Sequence, residues 1–167
     1  MKLYLALSRH TQTVWNAQRR YTGQRDIPLN EIGRQQAREL SRKLAHLPLS
    51  HVYCSDLIRT HETTRLAVES CGIVPIADPR LREVDVGQMT GLTKTASAEQ
   101  FSDPLLKTRN PDFDFRSIGG ESAQQVLDRH ISLLKEIAQR HGSIITSGPH
   151  ILLVGHGTSM RLLIQYF

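Results

Sequence analysis

The sequence predicts an α/β fold built on a mostly parallel sheet. Short apolar runs at residues 3–7, 51–55 and 151–154 each end in polar residues, amphipathic helical periodicity fills the intervals, and capping or Gly/Pro signals mark the joins. Strands alternating with helices at this spacing imply right-handed βαβ crossovers. The 167 residues match the size of one domain, read here as 1–167, able to bury one core but too short for two.

In chain order, residues 3–7 read as a buried strand that delivers Ser8, Arg9 and His10 at its C-terminal end, where open α/β sheets place chemistry. Residues 30–46 form an amphipathic helix on Ala37, Leu40 and Leu44, with Asn30 as N-cap and Pro48 beyond its end. Residues 51–55 read as a second strand, followed by a helix capped by Asp56 and terminated at Gly72. A third strand is expected at 73–76. Residues 88–120 mix Gly, Pro, Thr, Ser and Asp, and read as an irregular insertion or lid. Ser122 and Gln125 form a capping box for a long helix ending near His141, its apolar face carrying Ala123, Val126, Leu127, His130, Leu134 and Ile137. A strand at 151–154, a turn at 155–157 and a helix over 158–167 complete the chain.

With 39% apolar and 22% charged residues, the composition is that of a folded globular chain. Cys54 and Cys71 have neither a CxxC nor a Cys/His ligand spacing, so neither a disulfide framework nor zinc is expected, and a reducing, cytoplasmic setting fits. No leader-like N-terminus is seen, and no apolar run approaches the roughly 18 residues of a membrane span, so no membrane partner is expected. The net charge of +5 favours acidic partners. Arg34, Arg38 and Arg42 repeat at i, i+4 and read as a solvated helix face, and aromatic residues interleaved with a basic stripe are missing. The partner is therefore expected to be a small phosphorylated substrate and not nucleic acid.

His10 and His156 each follow an apolar strand, and parallel strands bring such ends to one sheet edge. Arg9 lies at the same edge, and Arg59 in the first turn after the second strand. Two imidazoles and two guanidiniums match a phosphate dianion, because Arg offers paired donors to phosphate oxygens. Taken singly, each residue reads more plainly: His10 and His156 as polar loop residues, Arg59 as a helix-surface charge, Glu83 as a solvated carboxylate.

The ordered set is more specific. Ser8-Arg9-His10-Thr11-Gln12-Thr13-Val14-Trp15-Asn16 resembles the RHG-x-T-x-x-N signature of the histidine phosphatase superfamily, the phosphoglycerate mutase-like proteins. The segments 21–29, 55–60, 81–87, 119–122 and 154–157 follow in that family's order. The resemblance implies a three-layer α/β/α fold with a mostly parallel central sheet, phosphoglycerate mutase-like and short at the C-terminus. It implies His10 as nucleophile, Arg9, Arg59 and His156 as phosphoryl-holding groups, and Glu83 as proton donor with Asp85 as its rival. Asn16, Thr22 and Gly23 fall where the family has further phosphate and substrate contacts.

A neutral imidazole attacks phosphorus without first losing a proton, and the phosphohistidine divides one hard displacement into two. Arginines offset charge on the transferring group, so no metal and no cofactor are expected. Glu83 would suit its role with a pKa raised toward neutrality.

Several positions depart from the pattern. Thr11 stands where Gly is usual, which predicts backbone strain beside the nucleophile, and Gln24 stands where Trp often follows Thr-Gly. The chain stops at Phe167, where the family usually continues into further sheet; the open edge would favour a homodimer or lower the stability of the fold. The expected function is a metal-independent phosphatase acting through phosphohistidine. Alternatives are mutase-type phosphoryl transfer, disfavoured by the short insertion, and a catalytically weak phosphate-binding module.

Overall fold

The computed structural model describes residues 4–141 and 150–167. Four parallel strands form its sheet: β1 (Leu5–Arg9), β2 (Leu49–Cys54), β3 (Ile76–Ala77) and β4 (His150–Gly155), in the order β1-β4-β2-β3. The last strand therefore lies between the first two, with Leu5 opposite Ile151 and Arg9 opposite Gly155. The amide of His10 extends the ladder by donating to the Gly155 carbonyl at 3.0 Å. This register sets His10 and His156 side by side although most of the chain separates them.

Helices cover both sheet faces, and strand alternation decides which side chain meets which layer. Val52, Cys54, Leu152 and Val154 face a cluster with Leu44, Ala67 and Val68 from α2 (Glu31–Leu44) and α3 (Ile58–Val68). Tyr53, Ile151 and Leu153 face the opposite layer, which contains Leu133, Leu134 and Ile137 of α5 (Ala123–His141) and Met160 and Leu163 of α6 (Gly157–Tyr166). Leu152, Leu153 and Val154 are fully buried, each contributing about 1.5–3 kcal/mol relative to exposure. The architecture is the three-layer α/β/α expected from the sequence.

Local chemistry explains the helix starts. Asn30 accepts from the Gly33 amide at 2.8 Å to open α2, and at the start of α5 the Ser122 amide donates to Gln125 Oε1 while the Gln125 amide donates to Ser122 Oγ. A short helix not anticipated from the sequence, α1 (Val14–Ala17), is opened by a reciprocal Thr13–Asn16 capping box. Asp56 does not cap α3 as expected. Leu57 occupies that position without a side-chain cap, Asp26 accepts from the Ile58 amide at 2.7 Å, and Asp56 is drawn to Arg82 instead, with Nε to Oδ1 at 2.8 Å. The third strand is shorter and later than 73–76, because only Ile76 and Ala77 align with Tyr53 and Cys54.

Residues 88–120 contain one regular helix, α4 (Lys94–Gln100), among short 3₁₀ turns. Met89, Phe113, Phe115 and Ile118 anchor this stretch on Val84, Val86 and Val126. Among the described residues no helix is long and apolar enough to cross a membrane.

Candidate active site

The site sits at the C-terminal ends of β1 and β4, closed from one side by α3. His10 is 7% exposed and His156 fully buried; their ring centroids are 5.2 Å apart, tilted by 59°. The loop after His10 is held from two directions. Thr63 accepts from both the amide and the hydroxyl of Thr11, at 3.1 Å each, while donating to the Arg59 carbonyl at 2.7 Å. On the other side Gly33 lets α2 approach so closely that a Cβ there would collide with the Gln12 carbonyl. Thr11 does not carry the strain expected of it: its backbone avoids the left-handed region, and its hydroxyl joins the Thr63 network.

His10 Nδ1 lies 2.7 Å from the Thr11 carbonyl. A carbonyl only accepts, so Nδ1 carries the hydrogen and Nε2 the lone pair. Burial, reinforced by the charges of Arg59 and Arg9, lowers the His10 pKa to about 3, so the ring is neutral across the physiological range. Burial likewise holds His156 well below the usual histidine range, with Arg59 and His10 adding to it. Thr60 Oγ1 pairs with His156 Nε2 at 3.1 Å, and His156 Nδ1 is buried without a partner. Arg59, 1% exposed, is fixed by bonds from its Nη atoms to the carbonyls of Arg25 and Gly23, both at 2.8 Å. Its pKa falls to about 10, chiefly through burial and against the pull of Glu83, which leaves it cationic at neutral pH.

These buried rings have a measurable consequence. His130, inside α5, is lowered to about 4, chiefly by burial. Rings with depressed folded pKa values take up protons on unfolding, so their stabilisation is complete above the unfolded value of about 6.5 and is lost progressively as pH falls below it. Urea midpoints should therefore drop between about pH 6.5 and 4.5, before the aspartates titrate, and His130→Gln should flatten the slope. A flat profile would contradict the neutral burial of these rings.

Glu83 reaches the same edge from the segment after β3. Its Oε1 accepts from the amides of Ser159 at 2.9 Å and Val84 at 3.0 Å, and Oε2 from Thr158 at 3.1 Å. The carboxylate thereby caps α6, whose N-cap residue His156 offers no side-chain cap. Asp85 is engaged elsewhere, accepting from the Gly87 amide at 2.9 Å. The backbone of Glu83 is gripped from behind: its carbonyl accepts from Arg129 Nη2 at 3.0 Å and Gln24 Nε2 at 3.2 Å. Arg129 also donates to the carbonyls of Arg80 and Arg82 and pairs with Glu121. Gln24, Glu121 and Arg129 thus form a positioning network that sequence reasoning missed.

A cavity of about 470 Å³ opens over these groups, lined by Arg9, His10, Asn16, Thr22, Gly23, Arg59 and Glu83 among others. His156 stands beside His10 and is fully buried. Gly157 gives Arg9 its place, since a Cβ there would stand 3.3 Å from the guanidinium carbon. Asn16 uses Oδ1 to accept from the Thr13 amide at 3.1 Å, leaving its NH₂ group for the cavity. Among the described residues no cluster of three or more His, Cys, Asp or Glu is arranged to hold a metal ion.

Two histidines at parallel strand ends, with Arg9 beside them and Arg59 supplied by α3, make a site suited to a phosphoryl group. The chain belongs to the histidine phosphatase superfamily (branch 1), which matches residues 5–167. It is 35% identical over 163 residues to a probable phosphoglycerate mutase of Enterobacter sp. (strain 638), covering 98% of this chain and 74% of that protein. A mycobacterial glucosyl-3-phosphoglycerate phosphatase solved with VO₃ superposes with a TM-score of 0.89 at 30% identity, covering 99% of this chain and 81% of that one. Bacillus stearothermophilus YhfR gives 0.85 at 30% identity, with 99% and 79% covered.

Proposed function

We propose that this chain is a phosphomonoesterase that works through a phosphohistidine on His10, without a metal. The observation that carries this reading is the fixed tautomer: Nδ1–H is tied to the Thr11 carbonyl, so a neutral ring points the Nε2 lone pair at the cavity between two arginines. In the first step Nε2 attacks phosphorus, the P–O bond of the ester breaks, and the leaving oxygen takes a proton from Glu83 in its acid form. The phosphorylated ring carries positive charge, which the Thr11 carbonyl stabilises through Nδ1–H. In the second step Glu83 takes a proton from water as its oxygen attacks phosphorus, and the N–P bond breaks to release phosphate. Arg9 and Arg59 offset charge on the equatorial oxygens throughout.

His156 is assigned an electrostatic and positional role. In the tautomer whose Nε2 accepts from Thr60, its unpartnered Nδ1–H is a buried donor that a phosphoryl oxygen would satisfy. His156→Ala is expected to cut kcat about 10²- to 10³-fold, the scale of losing one preorganised transition-state donor. Full activity in this variant at saturating and subsaturating substrate would remove His156 from the site.

Similarity to a probable phosphoglycerate mutase keeps one second reading, return of the phosphoryl group to an organic acceptor. Incubating the protein with 4-nitrophenyl phosphate and 3-phosphoglycerate in EDTA separates the two. Hydrolysis predicts one inorganic phosphate per nitrophenolate, whereas isomerised phosphoglycerate seen by phosphorus NMR would establish the mutase.

A further inference from the structure

Helix α3 carries three fully buried threonines, Thr60, Thr63 and Thr64. Threonine is an indifferent helix former, and inside a helix it ordinarily donates its hydroxyl hydrogen to the carbonyl four residues back. Thr63 and Thr64 do so, reaching the Arg59 and Thr60 carbonyls at 2.7 Å each. Thr60 does not. Among the described residues its hydroxyl makes a single hydrogen bond, with His156 Nε2 at 3.1 Å, and meets no carbonyl.

That bond decides where the His156 hydrogen sits. A carbonyl only accepts, so the Thr11 and Val126 carbonyls place a hydrogen on Nδ1 of His10 and of His130. A hydroxyl can donate or accept, and two arrangements must be compared. If Nε2–H donated to Thr60, the Thr60 hydrogen would be buried without an acceptor, and Nδ1 of the neutral ring would be a bare lone pair. If Thr60 donates to Nε2, the hydroxyl hydrogen is satisfied and one group alone is left open, the Nδ1–H, which has no partner in the structure. Buried polar groups are paired as a rule, so the second arrangement is favoured. Arg59 Nε, from the residue before Thr60, is a further buried N–H without an acceptor. Two unmet donors at this site would both be filled by an anion, whereas a lone pair on Nδ1 would repel it.

We propose that Thr60 is a positioning residue: its hydroxyl holds the hydrogen of the His156 ring on Nδ1, so that the ring meets the phosphoryl group as a donor. This deepens the phosphatase reading and rests on it for the phosphoryl group, but the place of the hydrogen can be read without turnover. Long-range nitrogen–proton NMR of the wild-type protein, with the His156 signals identified by their loss in His156→Ala, is expected to show a protonated Nδ1 and an unprotonated Nε2. Thr60→Val keeps the shape of the side chain and removes the donor, so the ring hydrogen should spread over both nitrogens. This variant should lower kcat toward 4-nitrophenyl phosphate by about 10- to 10²-fold with KM within about threefold, the scale of losing a partner that orients a functional histidine. It should also weaken binding of orthovanadate, measured by calorimetry, by about tenfold. Thr60→Ser retains the donor and should restore the tautomer, kcat and orthovanadate affinity to within about threefold of wild type; melting curves check the fold of both variants. A hydrogen on His156 Nε2 in the wild-type protein would overturn the proposal, as would an unchanged tautomer or an unchanged kcat in Thr60→Val, or equal losses in the valine and serine variants. If the wild-type protein turns over neither 4-nitrophenyl phosphate nor 3-phosphoglycerate, the phosphatase reading falls and orthovanadate decides for Thr60: weaker binding by Thr60→Val that serine restores upholds its role, and equal binding by all three proteins overturns it.

Discussion

His10→Ala is expected to lower turnover by about 10⁴-fold or more, because in the proposed mechanism it removes the atom that forms the intermediate and not merely a contact to it. Three features converge on this residue. The strand register delivers it to the cavity, the Thr11 carbonyl fixes its hydrogen on Nδ1, and burial beside Arg59 keeps the ring unprotonated. Rapid quenching of the wild-type protein with labelled substrate should trap an adduct that survives alkali and is lost in acid, as a phosphoramidate is. The variant should form none, and EDTA should leave the wild-type rate unchanged. Turnover that survives His10→Ala, or that collapses on chelation and returns with added metal, would defeat the mechanism whatever the fold.

Glu83→Gln is expected to act selectively. The amide keeps the size of the side chain but cannot deliver the proton, so poor leaving groups such as sugar phosphates should slow by about 10²- to 10⁴-fold. Aryl phosphates, whose oxyanions need little protonation, should slow far less, and a plot of rate against leaving-group pKa should steepen. A cost in stability should accompany this, because the NH₂ group of Gln would face one of the Thr158, Ser159 or Val84 amides that now donate to the carboxylate; leaving such a donor unpaired costs about 1–3 kcal/mol. Asp85→Asn is the control, since Asp85 serves the Gly87 turn and lies outside the cavity wall. If Asp85→Asn steepens the plot and Glu83→Gln does not, the two carboxylates have been assigned the wrong way round.

The parts of this site that were legible in the sequence lie where local pattern and chain topology coincide. Apolar runs ending at His10 and His156 mark parallel strand ends, and parallel strand ends share an edge. Asn30, Ser122 and Gln125 announce helix starts because the capping bonds span three residues. What was not legible depends on contacts between segments with no common periodicity. Arg129 reads as one charge on an amphipathic helix, and only the folded chain shows it gripping the carbonyls of Arg80, Arg82 and Glu83. Lys94, Arg109 and Arg161 also line the cavity, and come from a helix start, a loop and a helix interior. Asp56 was misread for the same reason, since its capping geometry competes with an ion pair to Arg82 from a distant segment. Thr11 departs from the family pattern, yet the chain accommodates it through Thr63.

In the proposed mechanism, the attachment of Glu83 to the start of α6 would give the last helix a part in the chemical cycle. A carboxyl group that alternates between acid and anion is, by turns, a weak and a strong acceptor for the amides of Thr158 and Ser159, at the positive end of the helix dipole. If Glu83 serves as proposed, each proton delivered to a leaving group would strengthen these bonds to the first turn of α6, and each proton recovered from water would weaken them. His156 occupies the N-cap of that same turn and stands beside His10. The two proposed half-reactions would then differ in how firmly this first turn is capped, and the exchange rates of the Thr158 and Ser159 amides would report which of the two the protein is poised to perform.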